Sequence, residues 1–128
     1  MNRALLLGTA LYALAACADA AMTLRGLGGD LALEGNPLVR RLMFALGPAA
    51  ALLLSKTATG AVCFAVARFG EPEIKRRARW IDRLPMFPAS RRWLASGDRS
   101  WIAHIPLYGT ALAQLAAAAS WAWLARPQ

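Results

Sequence analysis

In DAAMTLRGLGGDLALEGNPLVRRLMFALGPAAALLLSK, residues 19–56, one carboxylate, Asp19, stands late in an apolar segment and one lysine, Lys56, stands inside the next. Between them lie Gly26, Gly28, Gly29 and Asp30, then the turn-like run Glu34-Gly35-Asn36-Pro37. Glycines at this density favour a turn or irregular loop. Asn36-Pro37 reads as a helix start, since asparagine is a good N-cap and proline's missing N–H is not needed at the first helical position. Glu34 just before it can sit near the positive end of that helix. The sequences on either side are almost free of charge, so anything specific must happen at these few polar groups.

Outward from this stretch the chain is built of long apolar runs. Residues 4–24 follow the short basic start Asn2-Arg3, and roughly 20 residues at ~1.5 Å rise cover a hydrocarbon core of about 30 Å. Residues 49–69 form a second run of that length and residues 101–124 a third. Trp101 suits one headgroup level, and Trp121 and Trp123 the other. One continuous helix over 37–69 would be roughly 50 Å long, more than a bilayer needs. Gly47-Pro48 is therefore expected to interrupt it, leaving a short outer helix over 38–46 with Arg40 and Arg41 near the interface.

Composition agrees. Of 128 residues, 58% are hydrophobic and 17% charged, too apolar for an ordinary soluble domain of this length. The expected fold is all-α: a single membrane domain over 1–128 with three transmembrane helices, the short outer helix and a cytoplasmic amphipathic helix. The formal net charge is +8. Its basic residues gather mostly in residues 70–100, between two spans, so lipid headgroups are the nearer anionic partner and nucleic acid is not expected. Ile74, Ala78, Ile81 and Leu84 recur there at helical spacing, the pattern of a helix lying on a membrane surface. Lys75, Arg76, Arg77, Arg79 and Arg83 are its expected headgroup contacts. By the positive-inside rule this loop is cytoplasmic, which puts the N-terminus inside a bacterial inner membrane and the C-terminus outside.

Residues 14–17, Leu-Ala-Ala-Cys, have the look of a lipoprotein cleavage box, and Ala18-Asp19-Ala20 of a signal-peptidase site. An uncleaved first helix is favoured because the apolar run continues past Cys17 to Leu24 and further spans follow. Intact mass decides between an uncleaved chain and cleavage at Cys17 or Ala20. As a helix, this span puts Gly8, Tyr12, Ala15, Asp19 and Thr23 on one stripe, and the second span puts Lys56, Thr59/Gly60, Cys63 and Ala67 on one face. Small and polar residues of this kind let helices approach closely in lipid, so both faces are expected inside the bundle. Cys17 and Cys63 are read as packing residues rather than a disulfide or metal pair.

The order Asp19-x3-Thr23, Glu34-x-Asn36-Pro37 and a lysine in the following span, Lys56, resembles a family of short prokaryotic integral membrane proteins of unknown function. The likeness covers roughly the first half of the chain. It implies a membrane architecture and a shared polar cluster, and it implies no reaction. The basic loop and the tryptophan-rich third span are not part of that pattern.

Counted from the outer end of each span, Asp19 lies roughly 7–9 Å deep, Lys56 roughly 12 Å and Gln114 roughly 15 Å. An isolated charge there costs about 3 kcal/mol on insertion scales, so an Asp19–Lys56 pair is expected, with Thr23, Asn36 and Gln114 satisfying what remains and Glu34 at the mouth. A pair that only fixes helix register weighs evenly against a solute or proton site. His104, just before Pro106, reads as a hydrogen-bonded packing histidine, since nothing partners it at metal-ligand spacing. No nucleophile motif, phosphate loop, metal box or haem-attachment pair occurs, so no cofactor is expected and catalysis lacks positive support. Two functions follow. The first is a structural or accessory subunit that packs against itself, as a homo-oligomer, or against a larger membrane complex. The alternative is binding or transport of a small solute, ion or lipid through the polar cluster.

Overall fold

A computed structural model of the protein describes residues 3–76 and 99–124. Among these residues there are four α-helices: α1 (Arg3–Leu27), α2 (Pro37–Leu46), α3 (Pro48–Arg76) and α4 (Ile105–Leu124). Short 3-10 turns occupy Leu31–Leu33 and Arg99–His104. No strand occurs among the described residues. Three segments, Arg3–Leu27, Pro48–Pro72 and Trp101–Trp121, are helical, long and apolar enough to cross a membrane.

Asn36 starts α2 as its sequence context demands. Its side-chain carbonyl accepts from the backbone N–H of Leu38 at 3.0 Å and of Val39 at 3.3 Å, with Pro37 in the first turn. Gly47 then separates α2 from α3. Its φ of 84° lies in a region that side chains with a Cβ rarely adopt, and its N–H donates to the Met43 carbonyl at 2.9 Å. The expected interruption thus becomes a full break between two helices.

Three boundaries differ from the sequence expectation, the first being the end of α1, expected near Leu24 but reached at Leu27, so that Arg25 and Gly26 of the expected loop are helical. The second span was expected to end at Phe69, where the apolar run ends, but α3 continues through Pro72 to Arg76. Backbone hydrogen bonding does not stop where hydrophobicity does. The third span, expected as one helix from Trp101, begins instead as a 3-10 turn and becomes α-helical only at Ile105. Pro106 explains this: inside an α-helix its ring would clash with the carbonyl four residues back, whereas near a helix start it is harmless. The expected surface helix through Ala78, Ile81 and Leu84 lies largely outside the described residues.

Contacts along the helices set their directions. Gly8 lies against Leu107 and Tyr108, and Gly26 against Trp121, so α1 and α4 run parallel. Asp19 meets Lys56 and Tyr12 lies on Gly60, so α3 runs antiparallel to α1. α1 packs chiefly on α4 and less extensively on α3, while α2 packs on α3. One apolar cluster joins Leu5, Tyr12, Ala15, Cys63, Ala67 and Leu107, and a second joins Leu27, Met43, Ala51 and Leu52 near the α2 end. Many large apolar side chains, among them Leu14, Leu53, Val62 and Leu112, are exposed on the outside. A helix bundle with small residues inside and leucines outside is what hydrocarbon, rather than water, accommodates.

Candidate functional site

The site grows from two helix faces turned toward each other. Asp19 sits two turns before the end of α1 and is buried; Lys56 sits two turns into α3. The Lys56 ammonium contacts the Asp19 carboxylate in a direct salt bridge. Their side chains are 7% (Asp19) and 23% (Lys56) exposed, so the acid is enclosed and the base keeps an open side. In this environment each charge neutralises the other, and removing one would leave its partner buried and unpaired.

Beside the pair, Tyr12 donates its hydroxyl proton to the Lys56 backbone carbonyl at 2.6 Å. The ring reaches that carbonyl only because residue 60 lacks a side chain: a Cβ at Gly60 would lie 2.6 Å from Tyr12 Cε1. Gln114 of α4 is buried, and its Oε1 accepts nothing among the described residues. Deeper along the same interface Cys63 Sγ lies 3.6 Å from the Thr110 hydroxyl, which also donates to the Pro106 carbonyl at 2.6 Å. Polar groups of α1, α3 and α4 therefore form a broken line through the bundle interior.

Not all of the expected cluster joins it. Thr23 is buried one turn beyond Asp19. Asn36 is exposed and holds α2's first turn, and Glu34 Oε1 accepts from the Asn36 backbone N–H at 2.8 Å. The hydrogen bonds described for Glu34 and Asn36 thus tie them to one another and to α2, not to Asp19 or Lys56. Gln114 is buried in α4, and no hydrogen bond joins it to the ion pair among the described residues. The physical reason is local: an N-cap's oxygen is already occupied by backbone donors and faces the loop. Of the basic residues assigned to headgroups, Lys75 and Arg76 belong to the last turn of α3, and Arg77, Arg79 and Arg83 lie outside the described residues.

Two contacts had no sequence signal. Tyr108 donates its hydroxyl to the Ala4 carbonyl at 2.8 Å, joining the starts of the two parallel helices. His104 is buried with Nε2 3.6 Å from Glu71 Oε2 and, among the described residues, no partner for Nδ1. The pair spans the basic segment, so no local spacing announces it, and the histidine's hydrogen bonding is less complete than its expected packing role implies. Among the described residues no group of three His, Cys, Asp or Glu side chains is arranged to hold a metal. A groove of about 400 Å³ opens between α1 and α3 beside Lys56. Comparison with protein-family models, with curated proteins and with solved structures finds no match for this chain.

Proposed function

We propose that this chain is a small multi-pass membrane protein of structural or accessory type, which packs against copies of itself or into a larger membrane complex. The observation that carries this is the Asp19–Lys56 salt bridge: each group uses the other as its counter-ion between helices, the arrangement of a register pin. The cavity beside it is walled almost entirely by hydrocarbon, which supports packing over passage of a hydrated ion. The exposed belt of large apolar side chains supports contact with lipid and with other helices. Within this proposal α2 lies at the outer surface, the basic segment at 70–100 faces the cytoplasm and anionic headgroups, and the membrane is the bacterial inner membrane. The resemblance to short prokaryotic membrane proteins of unknown function belongs to it as well, because Asp19 and Lys56 of that pattern are the residues that meet.

The test is the mass of the protein extracted in a mild detergent, with identification of whatever co-purifies. A defined assembly heavier than one chain is expected. A stable monomer that carries no partner, from cells expressing it at native level, would refute the accessory role.

A further inference from the structure

His104 closes the 3-10 turn before α4 and faces the final turns of α3. Gly70 lets the two segments approach: a Cβ there would lie 3.4 Å from that of Ala103. One residue further along each segment the imidazole and the Glu71 carboxylate meet, Nε2 3.6 Å from Oε2, with side chains 6% and 18% exposed. At that separation they attract without a formed hydrogen bond, which needs about 3.2 Å or less. Nδ1 has no partner among the described residues. The buried ring thus turns one nitrogen to a carboxylate and keeps a second able to take a proton.

The floor of this site is apolar. Ala67, one turn before Glu71, Leu107, about one turn after His104, and Leu5 of α1 are enclosed in one cluster. The next polar side chains inward, Cys63 and Thr110, lie roughly 9–12 Å farther along their helices. A proton that reaches His104 has no relay onward. Among the described side chains Glu71 is the charged group that meets the ring; Arg68 lies exposed over Phe69, and Arg3 of α1 is exposed. From α4 comes Tyr108, whose hydroxyl is engaged at the Ala4 carbonyl. Glu73, Lys75, Arg76 and Arg99 stand at the same end of the bundle. At their ordinary values carboxylates, lysine and arginine keep their charge between about pH 5.5 and 7.5, the range in which an imidazole changes its own.

We propose that His104 and Glu71 form a proton-binding clasp between the end of α3 and the start of the third span. The proton adds at Nδ1, and Nε2–H then donates to the Glu71 carboxylate as half of an ion pair. Burial works against the charged ring and the carboxylate works for it; a counter-ion in direct reach prevails. The clasp is therefore closed while His104 is protonated, and its hold is lost as the pH rises through the imidazole range. Because the floor is apolar, the site takes up a proton and passes none across the membrane. What it governs is how firmly the two anchors of the basic segment are held together. It lies apart from the Asp19–Lys56 salt bridge and needs no partner protein, so it stands or falls separately from the accessory role.

The experiment places the full chain in phosphatidylcholine nanodiscs and follows hydrogen exchange in the last turns of α3 and in the turn before α4, each rate divided by that of an unstructured amide at the same pH. Opening of this end is expected to be at least about threefold more frequent at pH 7.5 than at pH 5.5, with the centre of α1 unchanged. Glu71→Gln and His104→Gln should each abolish that difference. The chain has a single histidine, so one imidazole signal in nitrogen-15 NMR reads its charge in the unaltered protein. That signal is expected to change between the two pH values. An imidazole that keeps one charge state, exchange equal at both pH values, or a difference that survives Glu71→Gln would each overturn the proposal. So would proton leakage through vesicles carrying the protein above that of empty ones, which would make the pair part of a path.

Discussion

Lys56 is held at two points, its ammonium by Asp19 and its backbone carbonyl by the Tyr12 hydroxyl, so α1 and α3 share a single register. Lys56→Met is expected to cost about 3–5 kcal/mol, because the Asp19 carboxylate then stays buried without a counter-ion. Asp19→Asn combined with Lys56→Met is expected to be no less stable than the worse single variant, since no lone charge remains. Unfolding in a sodium dodecyl sulfate titration checks this, and simple additivity of the two losses would contradict the coupling. At Tyr12 a smaller effect is expected: Tyr12→Phe removes one hydrogen bond and costs about 1 kcal/mol in the same titration. Gly60→Ala should cost more, about 1–3 kcal/mol. Its methyl displaces a ring that the hydroxyl bond keeps from swinging aside. The apolar surroundings of Asp19 and Lys56 made their pairing legible in the sequence, because a charge in that setting needs a counter-ion. The Tyr12–Gly60 fit was not legible, since it depends on how two helices rotate against each other.

At the scale of elements, α2 owes its start to Asn36 and its end to Gly47. Asn36→Ala removes the acceptor for two backbone donors and is expected to destabilise α2 by about 1 kcal/mol. Gly47→Ala meets no atom within 4 Å, so its cost is conformational alone, about 1–3 kcal/mol for a Cβ at that φ and ψ. Hydrogen exchange is the measurement: both variants should speed exchange in α2 while leaving the protected centre of α1 unchanged. These end signals are encoded by neighbouring residues, which is why the short helix and its break were readable in advance. The continuation of α3 past Phe69 was not, because helical hydrogen bonding there persists after the apolar pattern has stopped.

For the whole molecule, the exposed leucines and valines and the interior stripe of small and polar groups describe a bundle turned inside out relative to a water-soluble domain. The parallel course of α1 and α4, with α3 reversed, is the order three successive crossings would produce. Replacing Lys75, Arg76, Arg77, Arg79 and Arg83 together by glutamine is expected to raise the fraction of inserted chains with inverted orientation, because the basic segment then loses most of its topological bias. A reporter fused to the C-terminus reads it: with the basic segment in the cytoplasm, as proposed, the parent chain should place the reporter on the outer side of the membrane, and the variant should divide it between the two sides.

By itself the sequence determined that the chain is helical, that three of its segments are long and apolar enough to cross a bilayer, and that Asp19 and Lys56 would need counter-charges. Those properties follow from composition, from spacing along one segment and from the cost of a lone ion in hydrocarbon. Only the tertiary structure decided that the Tyr12 ring lies on Gly60 and that its hydroxyl reaches the Lys56 carbonyl. The same holds for His104 facing Glu71 and for the apolar groove beside Lys56. Each of these depends on the rotation and offset of packed helices, which the close approach of α1 to α4 at Gly8 and Gly26 sets through space and no residue's neighbours in the chain record.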